Sequence, residues 1–381
     1  MTAKSSKSVQ AQRYVIIVRW LGVLFFASGV LINLLGRSGL FASPQAQAGV
    51  DVVRKFYDGI FRAIMVTVSS YCSIAYLKLK QGTVSKFYKL SLTTFSVLTI
   101  ILIGIMPLAV YWDLYLMLMP FPNSTPISQL RYLGNHYDHT FTKVLGAPGL
   151  KMAIYLYFGY HIVAYVGTLL MGRRWYCSML CMLVGNHAES FGLGLPVIPH
   201  NKRRPLSKIF HPTAHKVLKA FQVITVALAV VVVGLWALNS LWGLVPVPLE
   251  TIVTIERISS RVFTLLFMSV LMVFFGGRAY CVYCPAGILF GTIGRLAGQR
   301  INTDLTECIG CGKCNEVCKM SLDIQAAALA REPLRSINCV GCGLCVDTCP
   351  KGTLAYSTFA TSKLERVPVG GASETSSQTK M

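Results

Sequence analysis

Cys308-Ile-Gly-Cys311-Gly-Lys-Cys314-Asn-Glu-Val-Cys318 and Cys339-Val-Gly-Cys342-Gly-Leu-Cys345-Val-Asp-Thr-Cys349-Pro350 both read C-x2-C-x2-C-x3-C. Three thiolates so placed can wrap three corners of one iron–sulfur cubane, while the fourth cysteine of each run reaches across to the other cluster. The spacing therefore predicts one [4Fe–4S] cluster on Cys308, Cys311, Cys314 and Cys349, and a second on Cys339, Cys342, Cys345 and Cys318. Gly310, Gly312, Gly341 and Gly343 let the backbone turn tightly round the sulfurs. The rival readings are a zinc site, which usually uses paired C-x2-C modules, and clusters with a purely structural role.

Over about Asn302 to Tyr356 the sequence resembles the bacterial two-cluster ferredoxins, with one departure: Lys319 stands where the family has proline after the fourth cysteine. The resemblance implies a small α+β domain, here taken as residues 301–358. Residues 359–381, rich in Ser, Thr and Gly with no apolar period, are expected to be disordered.

The rest of the chain reads differently. Of 381 residues 54% are hydrophobic and 13% charged, against roughly a quarter charged in a soluble domain. Residues 1–300 are expected to form an all-α polytopic domain with about six transmembrane helices, near Val15–Leu35, Ile60–Leu77, Leu90–Tyr111, Met152–Met171, Phe221–Leu241 and Ile258–Phe275. Arg62 and Arg261 make the second and sixth the least regular.

A formal charge of +21 suggests nucleic acid only if it gathers on one soluble face, and here it gathers between apolar runs. Lys4, Lys7 and Arg13 precede the first span, Lys78, Lys80, Lys86 and Lys89 follow the second, and Arg173, Arg174, Lys202, Arg203, Arg204, Lys208, Lys216 and Lys219 follow the fourth. The positive-inside rule then puts both termini in the cytoplasm. Cluster thiolates need the same reducing compartment. The expected location is the bacterial cytoplasmic (inner) membrane, multi-pass, with the ferredoxin domain cytoplasmic and no nucleic-acid partner. Ala46-Gln47-Ala48 resembles a signal cleavage site, but the preceding apolar run exceeds the 7–15 residues of a signal core, so an uncleaved anchor is expected.

Arg174-Trp175-Tyr176-Cys177-Ser-Met-Leu-Cys181 follows the fourth span and Arg278-Ala279-Tyr280-Cys281-Val-Tyr-Cys284-Pro285 the sixth. Both read Arg-x-Tyr-Cys with a second cysteine close behind and a glycine, Gly185 or Gly287, beyond. This internal repeat brings four cysteines to the cytoplasmic side, where they form a third iron–sulfur or copper centre or remain a pair of dithiols. Here the chain resembles ferredoxin-type membrane subunits: the membrane ferredoxin of the periplasmic nitrate reductase system (NapH-type), the membrane region of the nitrous oxide reductase regulator (NosR-type) and the copper-reducing oxidase-assembly protein (CcoG-type). The resemblance covers roughly Lys151 to Leu354. Met182 replaces a motif proline, and Cys281–Cys284 is one residue short, as in a divergent member.

Weaker signals are His136 and His139 in the third loop, Arg19, Glu256 with Arg257 and Arg261, Cys72 as a packed apolar residue, and His161 inside the fourth span. His161 is expected to hydrogen-bond between helices rather than ligate haem. No flavin or nicotinamide fingerprint is present.

The expected function is electron relay between the quinone pool, or a membrane or cytoplasmic redox partner, and the cytoplasmic clusters, with quinol as a candidate donor. The alternatives are a copper reductase or oxidase-assembly factor, since soft thiolates favour Cu(I), and a thiol redox sensor.

Overall fold

The computed structural model describes residues 2–37, 56–82, 84–105, 120–123, 141–181, 185–195, 211–242, 278–303 and 305–360, with isolated positions between them. The signal-like Ala46–Ala48, His136, His139, Glu256, Arg257, Arg261 and the tail beyond residue 360 lie outside the described residues.

Long apolar runs become long helices. They are α1 (Thr2–Arg37), α2 (Arg62–Gln81), α3 (Lys86–Thr99), α4 (Phe141–Met171) and, after short helices α5 (Trp175–Met179) and α6 (Gly185–Phe191), α7 (Pro212–Trp242). A π-helical turn at Tyr57–Phe61 leads into α2, and another at Ile100–Ile105 extends α3. Four stretches are long and apolar enough to cross a membrane: Ser6–Gly29, Gly59–Lys80, Lys86–Ile105 and Pro212–Leu235. The six spans expected from the sequence are thus matched by four among the described residues. Tyr157–Met171 is a shorter apolar stretch ending α4, and Ile258–Phe275 falls almost wholly outside them.

These helices turn apolar side chains outward. Trp20, Tyr155, Ile162, Leu170, Val223 and Ile224 are all exposed, the distribution a lipid environment favours. Their inward contacts are small and hydroxylic: the Ser70 and Ser190 hydroxyls lie 2.8 Å apart, and Ser73 Oγ donates to Ser190 O at 3.0 Å. Small polar residues let helices approach closely and join them by hydrogen bonds. Arg19 Nε donates to Gly194 O at 3.4 Å, so this arginine serves a contact between segments.

The C-terminal part is α+β. Helices α8 (Ala279–Tyr283) and α9 (Pro285–Leu296) lead to β1 (Arg300–Asn302), which pairs antiparallel with β2 (Ala355–Ser357), Arg300 opposite Ser357 and Asn302 opposite Ala355. Between the strands lie α10 (Lys313–Val317), α11 (Ile324–Ala330) and α12 (Leu344–Thr348). Helices α10 and α12 are copies: each follows a left-handed glycine, Gly312 at φ 69° or Gly343 at φ 80°, and each ends in an extended cysteine, Cys318 or Cys349. The glycine starts the helix where a side chain would be strained, and the extended cysteine turns away from the three before it.

The ferredoxin domain is bolted to the helices. Arg173 lies between two rings, 4.3 Å from the Phe87 centroid and 4.2 Å from that of Tyr356, and donates to Gly341 O. Tyr356 Oη donates to Gly172 O at 2.9 Å, and Leu344 packs into a cluster with Val84, Tyr88 and Leu92. Arg173 and Arg174, counted in the sequence among the charges that set topology, also make packing contacts, and Arg174 is fully buried.

Gly291 on α9 leaves no room for a side chain, because an added Cβ would collide with Ile337 O. Gly291→Ala should lower the stability of the detergent-solubilised protein by about 1–3 kcal/mol, the usual range for overpacking. Gly159→Ala, at a helical site with open space around the added carbon, should not. Thermal unfolding of both variants checks this.

Candidate functional site

Three cavities carry the twelve motif cysteines, four in each. A far cavity of about 370 Å³ is lined by Cys308, Cys311, Cys314 and Cys349. A near cavity of about 380 Å³ facing the helices is lined by Cys318, Cys339, Cys342 and Cys345. A third, of about 320 Å³, is lined by Cys177, Cys181, Cys281 and Cys284, with Asn123, Arg174, Tyr176 and Tyr280. The first two partitions put the fourth cysteine of each run with the other run. Among the described residues no three His, Cys, Asp or Glu side chains close on a single metal ion; the sulfurs stand around open space instead.

The ferredoxin cavities differ in setting. Burial pushes the Cys318 and Cys342 thiols up to about 12, against hydrogen bonds from Leu322 and Leu344 respectively. At the far cavity, burial also raises the Cys349 thiol, but hydrogen bonds from Thr353, Lys351 and Leu354 outweigh it and the net shift is downward. Thiols held that high are protonated at neutral pH, so the near set becomes a thiolate set only when cations displace the protons. Gln299 Nε2 donates to Cys339 O at 2.6 Å and fixes the loop that carries that cysteine.

The third cavity is built by the internal repeat. Helices α5 and α8 each begin one residue after an arginine, and each arginine crosses to the other copy. Each of the three guanidinium nitrogens of Arg278 donates there: Nε to Glu189 Oε1 at 2.7 Å, one terminal nitrogen to Cys177 O at 2.7 Å and the other to Asn186 Oδ1 at 3.2 Å. A Cβ on Gly185 would meet Cys177 O at 2.9 Å and the Arg278 guanidinium at 3.0 Å. In the other direction, a Cβ on Gly287 would strike the Arg174 guanidinium and stand 3.0 Å from Cys281 O. The two glycines thus mark equivalent points of a pseudo-two-fold arrangement, although their spacing from the cysteines differs.

The cavity is sunk among the helices. His161 lies ten residues before the end of α4 at Met171, about 15 Å along the axis. Its Nε2 accepts from Phe121 N at 3.1 Å and its Nδ1 donates to Tyr157 O at 2.8 Å. Both ring nitrogens are therefore occupied as a neutral tautomer, and the side chain anchors the segment 120–123 instead of ligating haem. Asn123 follows two residues later; its Nδ2 donates to Cys284 Sγ at 3.5 Å and its Oδ1 accepts from Ala286 N at 3.2 Å. From the other side Gln222 Nε2 donates to Cys284 O at 2.6 Å. Cys284 is the N-cap of α9, with Pro285 opening the helix.

Asn123 and Glu189 escape sequence reasoning. Asn123 lies in no motif, whereas Glu189 carried a usable signal as the sole acidic residue between Asp138 and Glu250. Lys319, the departure from the ferredoxin pattern, also finds its role here: its Nζ lies 4.0 Å from Glu189 Oε2, and its carbonyl accepts from Arg278 N at 3.1 Å. Cys72 is buried inside α2, away from the three cavities.

Removing one member of a buried ion pair leaves the other uncompensated and typically costs 3–5 kcal/mol. Glu189→Ala should lose about that much stability. Arg278→Lys should lose nearly as much despite keeping its charge, because an ammonium cannot occupy three divergent acceptors. Thermal unfolding in detergent, with the exposed Lys80–Glu316 pair as a control that changes little, checks both.

Comparison with protein families matches residues 300–350 to the 4Fe-4S dicluster domain. Comparison of the chain with curated proteins and with solved structures gave no match. The chain thus carries a ferredoxin-type iron–sulfur domain, packed through Arg173, Tyr356 and Leu344 on a bundle of long apolar helices.

Proposed function

We propose that the protein is a membrane electron-transfer protein in which the bundle holds a third cluster-type centre beside two [4Fe–4S] clusters. Electrons pass between a membrane redox partner or the quinone pool and the ferredoxin domain. The observation that carries this reading is the set of three similar four-cysteine cavities in one packed unit, the third sunk among the helices and separated from the near ferredoxin cavity by Arg174. When bound, iron–sulfur clusters supply a one-electron change of charge state. The protein supplies position, burial and hydrogen bonds.

Each residue type has a task in this reading. Cys177, Cys181, Cys281 and Cys284 hold the third centre, and Asn123 donates to the Cys284 sulfur. Tyr176, stacked on Phe290 at 4.5 Å between centroids, and Ala164 wall the cavity from the outer face of the bundle. The ferredoxin domain covers the cavity from the other end, where Ser178 Oγ donates to Val340 O at 3.4 Å and Arg174 to Asn338 O at 3.3 Å. The resemblance to NapH-, NosR- and CcoG-type subunits supports the same role and a cytoplasmic ferredoxin domain in a bacterial inner membrane.

Iron, sulfide and copper content of anaerobically purified protein tests it, comparing wild type with a Cys177→Ser/Cys281→Ser variant. About twelve irons falling to about eight, with one EPR signal lost, is the expected result. About eight irons in both, with copper that is lost in the variant, would replace the relay by the metal-reductase reading.

A further inference from the structure

Among the described residues Arg174 is the one arginine of the repeat whose charge no carboxylate answers. It is fully buried. Among the described residues no carboxylate pairs with it, and its Nε has no hydrogen-bond partner. Its counterpart Arg278 is matched by Glu189 at 2.7 Å. A buried guanidinium with no counter-charge is expensive, so a position like this implies an anion that the protein itself does not provide.

The two neighbours of Arg174 identify that anion. On one side it lines the third cavity together with Cys177. On the other, a terminal nitrogen donates to Asn338 O at 3.3 Å, one residue before Cys339 of the near cavity. A cubane on four thiolates is anionic and gains a further negative charge when it takes up an electron. Arg174 therefore stands between two sites of that kind. The far cavity has only lysines, Lys313 and Lys351, on its lining, and both residues are exposed, where water screens them.

We infer that Arg174 is a shared counter-ion for the third centre and the near cluster, holding both at higher potential than the far cluster and coupling their charge states. This rests on the reading of Cys177, Cys181, Cys281 and Cys284 as a cluster site. No bond forms or breaks and no proton moves, because arginine stays charged throughout. One electron from a reductant arrives at either site, and the guanidinium lowers the energy of the added negative charge. Low dielectric makes that attraction strong, and it falls with distance from the guanidinium.

The test is an EPR-monitored redox titration, with dithionite as reductant, of the full chain in detergent. Wild type is compared with Arg174→Gln and Arg174→Lys, and the iron content of each is measured. In R174Q the reduced-to-oxidised ratio of the near cluster and of the third centre at a fixed potential should fall at least tenfold, about 59 mV for one electron. The far cluster should not move, and R174K should keep one of the two midpoints near wild type while the other falls. Full iron content with neither signal shifted, with all three shifted alike, or with R174K shifted as far as R174Q overturns the inference while leaving the third centre standing. Absence of the extra iron and signal in wild type sinks the third centre, and the shared role with it. If R174Q does not accumulate, R174K decides alone. Its single ammonium cannot serve both sides, so one of the two midpoints should fall, and equal movement or none overturns the inference.

Discussion

Two guanidinium groups lie fully buried where helices, short re-entrant segments and the ferredoxin domain meet, and much of the structure can be understood as the means of keeping them there. Moving such an ion out of water costs several kcal/mol even after relaxation. For Arg278 the cost is offset by Glu189, Asn186 and the Cys177 carbonyl, all on the partner copy of the repeat. That arrangement requires α6 to enter the bundle beside α2 and α3, which it does by seating Ser190 against Ser70 and Ser73 and His187 against Arg62 at 3.1 Å. It also requires glycine at 185 and 287, since a side chain at either position would push a guanidinium out of place.

The ferredoxin domain completes this site as well as building its own. Lys319 reaches Glu189, the Lys319 carbonyl takes the Arg278 amide, and Asn338 and Val340 meet Arg174 and Ser178. The contacts at residues 338–341 come from the loop that carries Cys339, and Lys319 adjoins Cys318, so the near cavity and the third cavity share a wall. Any movement that separated the domains would expose both arginines and the near cysteines to water together. The short connection from α9 through Gly298 to β1, with Phe359 N donating to Ala297 O at 3.0 Å, pins the domain at that end too.

How much of this was legible in the sequence depends on the range of the interaction concerned. The partition of eight cysteines into two crossed sets is written in local spacing, because each run folds as one glycine, one helical turn and one extended cysteine. The apolar runs likewise announced helices, with ends displaced by several residues where lysines continue a helix past its apolar stretch. The repeat of Arg-x-Tyr-Cys was visible, but its meaning was not: nothing in the spacing tells that each arginine crosses to the other copy. Asn123 and Glu189 are brought to the cavity by tertiary packing alone. His161 shows the opposite case: the sequence forecast a helix-to-helix hydrogen bond, and its ring instead bonds the Tyr157 carbonyl of its own helix and the Phe121 amide of the non-helical segment 120–123.

The asymmetry of the repeat then acquires a physical reading. Cys177–Cys181 has three residues between its cysteines and no proline after them, whereas Cys281–Cys284 is shorter and runs straight into Pro285. The shorter copy makes Cys284 the N-cap of a twelve-residue helix. It also presents that sulfur and the Ala286 amide together to one side chain, and Asn123 fits both with a donor at one end and an acceptor at the other. Cys181 and Cys284 are both half-buried. A symmetric pair of motifs would give four equivalent sulfurs. Here one sulfur is distinguished by hydrogen bonds from a segment outside the repeat, while the guanidinium left without a carboxylate stands at Cys177 in the other copy. Donors on one side and net positive charge on the other give the cavity a direction along the line that leads to the ferredoxin domain.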